Sequence, residues 1–105
     1  MNIDTLYRKL QISVAKNKES LPKAVYVLEI TGEKTFILDG VNGTVKEGEY
    51  AQEPDCLIRS DMKVLEAIMS KPSSAFGYIM KKKLHISNMG TLMPLIKVLR
   101  DAFSG

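Results

Sequence analysis

The sequence predicts an α+β domain in which a mostly antiparallel sheet is covered by helices. Apolar residues recur at helical spacing near both ends of the chain, whereas β-branched and aromatic residues dominate the stretch from residue 24 to residue 60. Turn residues divide that middle stretch into short runs. With 105 residues, of which 45% are apolar, the chain can bury its own core, and we treat residues 1–105 as a single domain.

The first predicted element is an amphipathic helix that ends before Leu21-Pro22. Its apolar residues share one helical face: Ile3, Leu6, Tyr7, Leu10 and Val14. Either Asn2 or Asp4 can cap its start, because both side chains can accept a hydrogen bond from the unpaired amide groups of the first turn.

Four strands are predicted next, over residues 24–31, 35–41, 44–46 and 55–60. Gly32-Glu33 and Asn42-Gly43 form tight turns, so the first three strands make an antiparallel meander. Side chains alternate along a strand, and this places Cys56 and Ile58 on one face of the fourth strand.

The pattern becomes helical again after Asp61. One helix ends before Pro72, and a short helix follows that Ser73 or Ser74 can cap. A fifth strand covers residues 83–87, with His85 on the opposite face from its apolar neighbours.

The last helix is predicted from about Thr91 to Phe103. Pro94 lacks an amide hydrogen, so we place the helix start at Thr91, where that donor would be unpaired in any case. We expect an irregular first turn and propose this helix, carrying Met93, Ile96, Leu99 and Phe103 towards the sheet, as a gate that opens at low cost.

Composition excludes several kinds of site. One cysteine and one histidine cannot build a Cys/His zinc centre, and no glycine-rich phosphate loop is present. We therefore predict no cofactor and no metal. A hydrolase using Cys56 or Asp39 is the least supported function, because nothing near Cys56 would form a thiolate, and a buried structural thiol is expected instead.

The net charge of +3 lies in the second half of the chain. Residues 1–52 hold 7 basic and 7 acidic side chains, whereas residues 53–105 hold 8 basic and 5 acidic ones. The excess centres on Lys81, Lys82 and Lys83, which predict either a solvated turn or contact with an anionic surface. The run is too short for a nucleic-acid footprint, so we predict no nucleic-acid partner.

Methionine is confined to one region. Apart from Met1, every methionine lies between residues 62 and 93. Methionine side chains are flexible and fit irregular apolar shapes, so the pattern predicts either an ordinary core or a soft cavity for an apolar ligand.

Several segments in this order resemble the sterol carrier protein type-two family of lipid-binding domains. They are Thr35-Phe36-Ile37-Leu38-Asp39, Asp55-Cys56-Leu57-Ile58-Arg59-Ser60-Asp61, Leu65 with Ile68-Met69-Ser70-Lys71, Ser74-Ala75-Phe76, and Lys83-Leu84-His85-Ile86-Ser87-Asn88-Met89-Gly90. The likeness covers roughly residues 24–100. Lys82 stands where the family usually has a turn glycine, and we expect Asn88 to take the left-handed conformation in place of another missing glycine.

The resemblance implies a five-stranded, mostly antiparallel sheet covered on one face by helices, with an apolar tunnel between the layers. It also implies a small stand-alone, cytoplasmic, non-enzymatic carrier of a sterol, fatty acid, fatty acyl-CoA or similar lipid. The alternative is an accessory protein that presents a quinone-type or other apolar metabolite to partner enzymes. The residues predicted to line the tunnel are Phe36, Ile58, Leu65, Ile68, Met69, Phe76, Ile79, Met80, Ile86, Met89, Leu92, Met93, Ile96, Leu99 and Phe103.

Overall fold

A five-stranded sheet with helices on one face forms the fold seen in the computed structural model, which describes residues 2–104. The helices are α1 (Ile3–Lys16), α2 (Met62–Ser70), α3 (Ala75–Met80), α4 (Met89–Leu92) and α5 (Ile96–Phe103). The strands are β1 (Val25–Ile30), β2 (Thr35–Asp39), β3 (Thr44–Glu47), β4 (Cys56–Ser60) and β5 (Leu84–Ile86). The predicted fold class is confirmed.

The strand order across the sheet is β3-β2-β1-β4-β5. The meander β1-β2-β3 is antiparallel, as is the pair β4-β5, whereas β1 and β4 pair in parallel. The sheet is therefore mixed, with the antiparallel majority that the turn residues predict.

The covered face of the sheet is built from alternate residues of neighbouring strands. Leu28 of β1 lies opposite Phe36 of β2 and Ile58 of β4, and all three side chains are buried. The ring of Tyr7 from α1 stacks on Phe36, with the ring centroids 5.1 Å apart. Period-two burial thus turns one face of the sheet towards the helices.

Helix α1 begins at its predicted cap. The Asn2 side chain accepts a hydrogen bond from the amide of Thr5 at 2.8 Å, so Asn2 rather than Asp4 is the cap. Farther along, the buried Ser13 hydroxyl donates to the carbonyl of Val98 at 2.9 Å and fixes α1 against α5.

The predictions for the start of the last helix are wrong. Asn88 is extended, with φ −148°, and its side chain accepts a hydrogen bond from the Thr91 amide, so it caps a helix that begins at Met89. Pro94 is accommodated because the chain changes to a 3₁₀ turn over Met93–Leu95 before continuing as α5. The irregular first part that Pro94 predicts is present, although it begins earlier than expected.

The predicted cap of the short helix is also wrong. A 3₁₀ turn over Pro72–Ser74 leads directly into α3, and the Ser74 side chain makes no capping hydrogen bond. Its hydroxyl donates instead to the carbonyl of Lys71 at 2.7 Å.

No helix within residues 2–104 is both long and apolar enough to cross a membrane.

Candidate functional site

The residues predicted to line a tunnel fall into three groups. The first belongs to the packed core between the sheet and the helices, with no side chain more than 8% exposed: Phe36, Ile58, Leu65, Ile68, Leu92 and Leu99. Ile79 and Ile86 are partly buried against this core. Within residues 2–104 the structure does not show an apolar tunnel between the layers, because these side chains fill the space themselves.

The second group lines an open groove of about 870 Å³ between α2 and the last helical segment, which comprises α4, the 3₁₀ turn and α5 over residues 89–103. Four of the predicted residues meet there: Met69, Met93, Ile96 and Phe103. Met69, Ile96 and Phe103 also pack against the core, so the groove borders directly on the protein interior. The volume is within the range of small-molecule binding sites.

The third group lies on the outer surface. Phe76 is 71% exposed and Met80 is 83% exposed, although both are large apolar side chains. Met89 is exposed to a smaller extent. In this structure these three residues are not brought to the groove.

Polar residues that the sequence analysis missed also line the groove: Glu66, Ser70, Lys97, Arg100, Asp101 and Ser104. Their spacing carries a signal that could have identified them. Met93, Lys97, Arg100 and Ser104 follow one another at intervals of four, three and four residues, which places them on one face of the segment. This face, which carries both apolar and polar side chains, adjoins the buried apolar face of the same segment.

Four of these residues are charged: Glu66 and Asp101 are acidic, and Lys97 and Arg100 are basic. Neither Lys97 nor Arg100 forms an ion pair with any residue in the described range, whereas Lys34 pairs with Glu47 and Arg59 with Glu29 elsewhere on the surface. The two cationic groups are therefore available to a polar or anionic group of a ligand.

Two buried side chains tie the start of the last segment to the sheet. The Tyr26 hydroxyl donates a hydrogen bond to the carbonyl of Thr91 at 2.7 Å, and the Cys56 thiol donates to the carbonyl of Asn88 at 3.4 Å. Burial raises the pKa of the Tyr26 hydroxyl and the pKa of the Cys56 thiol above their ordinary values. Cys56 is thus a protonated structural thiol, as predicted, while the role of Tyr26 gave no signal in the sequence.

Asp39 belongs to a turn. Its carboxylate accepts hydrogen bonds from the amide of Val41 and from the amide and side chain of Asn42, at 2.7–3.1 Å. Partial burial alone would raise the pKa of Asp39, but these donors outweigh it and the pKa lies below its ordinary value. Within residues 2–104, no three His, Cys, Asp or Glu side chains are grouped so that they could hold a metal ion.

Solved structures similar to this chain include sterol carrier proteins and a UbiJ-SCP2 protein. Sterol Carrier Protein 2 Like 2 from Aedes aegypti matches with a TM-score of 0.68 and 21% identity over 91% of this chain and 94% of that chain. Sterol Carrier Protein-2 from Aedes aegypti, solved in complex with palmitate, matches with a TM-score of 0.65 and 17% identity over 96% and 98%. A UbiJ-SCP2 ubiquinone synthesis protein matches with a TM-score of 0.61 and 20% identity over 94% and 82%.

Among curated protein sequences, none is significantly similar to this chain. The model of the SCP-2 sterol transfer family matches residues 5–100, nearly the whole chain. The family match agrees with the structural likeness and with the motifs at residues 35–39, 55–61 and 83–90. The chain belongs to the SCP-2 sterol transfer family.

Proposed function

We propose that this protein is a non-enzymatic lipid carrier of the cytoplasm that holds the apolar part of its ligand in the groove between α2 and α5. The carrying observation is the groove itself, which combines Met69, Met93, Ile96 and Phe103 with a cationic pair on the same segment. A sterol, a fatty acid, a fatty acyl-CoA or a similar lipid fits this combination of an apolar lining and a polar rim.

The groove offers a route to the predicted tunnel. Its apolar residues pack on the core, so a chain-like ligand that displaces them would enter the layer between the sheet and the last helical segment. Methionine side chains adapt to such an entry because they are unbranched and flexible. Burial of ~10 methylene groups at about 0.8 kcal/mol each gives roughly 8 kcal/mol before association and ordering costs, which is consistent with affinity on the order of micromolar.

The chemistry of the polar residues supports a carrier rather than an enzyme. The Cys56 thiol is buried and protonated, and the Asp39 carboxylate is occupied by its own turn. Neither residue lines the groove. The free thiol suits a reducing compartment.

A groove-filling variant tests the proposal. Ile96→Trp places an indole among the groove residues, and we expect it to weaken the uptake of a fluorescent fatty acid at least tenfold while the fold is retained. Ile12→Trp is the matched control, because Ile12 is 67% exposed on α1 and does not line the groove. Equal uptake by wild type and Ile96→Trp would place the ligand elsewhere, and absence of uptake by the wild type would remove the carrier function.

A second candidate function is presentation of a quinone-type metabolite to partner enzymes. The observation that favours it is the structural likeness to a UbiJ-SCP2 ubiquinone synthesis protein. Affinity purification from the native host discriminates the two functions. A presenting protein is recovered with stable enzyme partners, whereas a simple carrier is recovered with lipid and without them.

A carrier must also reach the membranes with which it exchanges lipid. Lys81, Lys82 and Lys83, the residues predicted to approach an anionic surface, are all exposed. Contact through this lysine run is part of the proposed function.

A further inference from the structure

The net positive charge of the protein comes from one continuous segment. Between Glu66 and Asp101 the chain has six basic residues and no acidic one: Lys71, Lys81, Lys82, Lys83, Lys97 and Arg100. The remaining residues hold 9 basic and 12 acidic side chains, so the segment contributes +6 and the rest of the chain −3. An anionic partner is therefore attracted to this segment and repelled from the rest.

The same segment exposes large apolar side chains. In the described part of the chain six such residues are exposed, and four of them belong to this segment: Phe76, Met80, Met89 and Met93. Phe76 and Met80 are four residues apart on α3, so they lie on one side of that helix. The opposite side packs on the core through Tyr78 and Ile79.

Lysines flank α3 at both ends. Lys71 precedes the 3₁₀ turn that leads into the helix, and Lys81 to Lys83 follow its last turn directly. The amides of Lys82 and Lys83 donate to the carbonyls of Ile79 and Tyr78, so backbone hydrogen bonds fix the position of the lysine run relative to the helix. The lysine run and the apolar pair are thus held together as one surface.

We propose that α3 and its flanking lysines form a docking surface for an anionic phospholipid bilayer. Phe76 and Met80 enter the boundary between head groups and acyl chains, and Lys71 with Lys81, Lys82 and Lys83 contacts the phosphate layer. Apolar side chains beside a cluster of lysines are the combination by which proteins bind to the surface of a membrane without spanning it.

A bilayer fits this surface better than a nucleic acid or an acidic protein. Lysines alone are sufficient to contact the phosphate backbone of a nucleic acid. Such a partner would leave the two exposed apolar side chains of the six-residue helix α3 without a contact. As the docking step of a lipid carrier, the inference rests on the proposed function for its purpose, but it can be tested without any cargo.

Co-sedimentation with vesicles tests the surface. Wild-type protein should bind vesicles that contain phosphatidylglycerol and should bind phosphatidylcholine vesicles much less. Phe76→Ala/Met80→Ala should reduce binding to the anionic vesicles about tenfold, because the apolar contacts are lost. Lys81→Gln/Lys82→Gly/Lys83→Gln should reduce it at least tenfold, since each lysine near an anionic surface contributes about fivefold in affinity.

Matched controls separate the surface from general charge and hydrophobicity. Lys16→Gln/Lys23→Gln/Lys46→Gln removes three exposed lysines outside the segment, and Ile12→Ala/Val41→Ala removes two exposed apolar side chains outside it. Both control proteins should bind like the wild type. Equal binding by wild type and Phe76→Ala/Met80→Ala would overturn the proposal in favour of a purely electrostatic contact, and so would absence of wild-type binding to anionic vesicles. Either result would leave fatty acid uptake in the groove standing, whereas absence of wild-type binding would also remove the membrane contact of the lysine run from the proposed function.

Discussion

Lys82 carries the clearest local conflict between residue and backbone. Its φ of +60° lies in the left-handed region, which costs a residue with a Cβ roughly 1–2 kcal/mol. The position follows the end of α3, where helices commonly end with glycine. The family usually has a glycine at this position, and the positive φ gives the physical reason, because glycine adopts this conformation without the cost that Lys82 bears.

Replacing Lys82 should therefore stabilise the protein. We predict that Lys82→Gly raises the free energy of unfolding by about 0.5–1 kcal/mol, the left-handed cost less the extra freedom that glycine has in the unfolded chain. Urea denaturation measures the change. Lys81→Gly is the control, because Lys81 has a φ of −82° and glycine there should destabilise the protein. A lower stability for Lys82→Gly than for wild type would contradict the role of the backbone at this position.

At the scale of elements, the last helical segment shows where sequence patterns stop being sufficient. Periodicity of two and of 3.6 predicts the strands and helices because each element buries one face. The 3₁₀ turn over Met93–Leu95 breaks this rule, since three residues that advance by about 120° instead of 100° turn the following helix by roughly 60°. On α5 the buried residues are Val98, Leu99 and Ala102, whereas Ile96 and Phe103, which were predicted to point to the sheet, are only partly buried and line the groove.

The attachment of this segment to the sheet should depend on pH through Tyr26. Its pKa is raised above 10.0, so the unfolded chain loses the tyrosine proton first, and the stabilising contribution is complete below pH 10 and is lost as the pH rises further. Tyr26→Phe should lower the free energy of unfolding by about 1 kcal/mol at neutral pH, because the Thr91 carbonyl loses its donor.

Thermal unfolding between neutral pH and pH 11 measures both effects. The difference between wild type and Tyr26→Phe should shrink above pH 10. Tyr50→Phe is the matched control at neutral pH, because its hydroxyl bonds to the nearby Gln52 side chain at the surface, and its loss should change the stability little. Cys56 adds a similar loss of stability in all three proteins, because its pKa is raised above 9.0. A constant difference across this range would show that Tyr26 does not act through its buried proton.

At the scale of the whole molecule, fold and site differ in how far the sequence determines them. The sheet, its covered face and the family follow from alternating burial, turn residues and the order of short motifs. The site depends on which apolar side chains remain outside the core, and periodicity does not reveal this. Phe36 and Leu99 complete the core, whereas Phe76 and Met80, with the same apolar character, are outside it.

The methionines make this division measurable in one experiment. Met69 and Met93 line the groove, whereas Met80 lies on the outer side of α3. We predict that palmitate, added to protein with isotope-labelled methionine methyl groups, shifts the NMR signals of Met69 and Met93 in a saturable manner and leaves that of Met80 unchanged. A shift of Met80 alone, or no saturable shift at Met69 and Met93, would contradict a lipid site between α2 and α5.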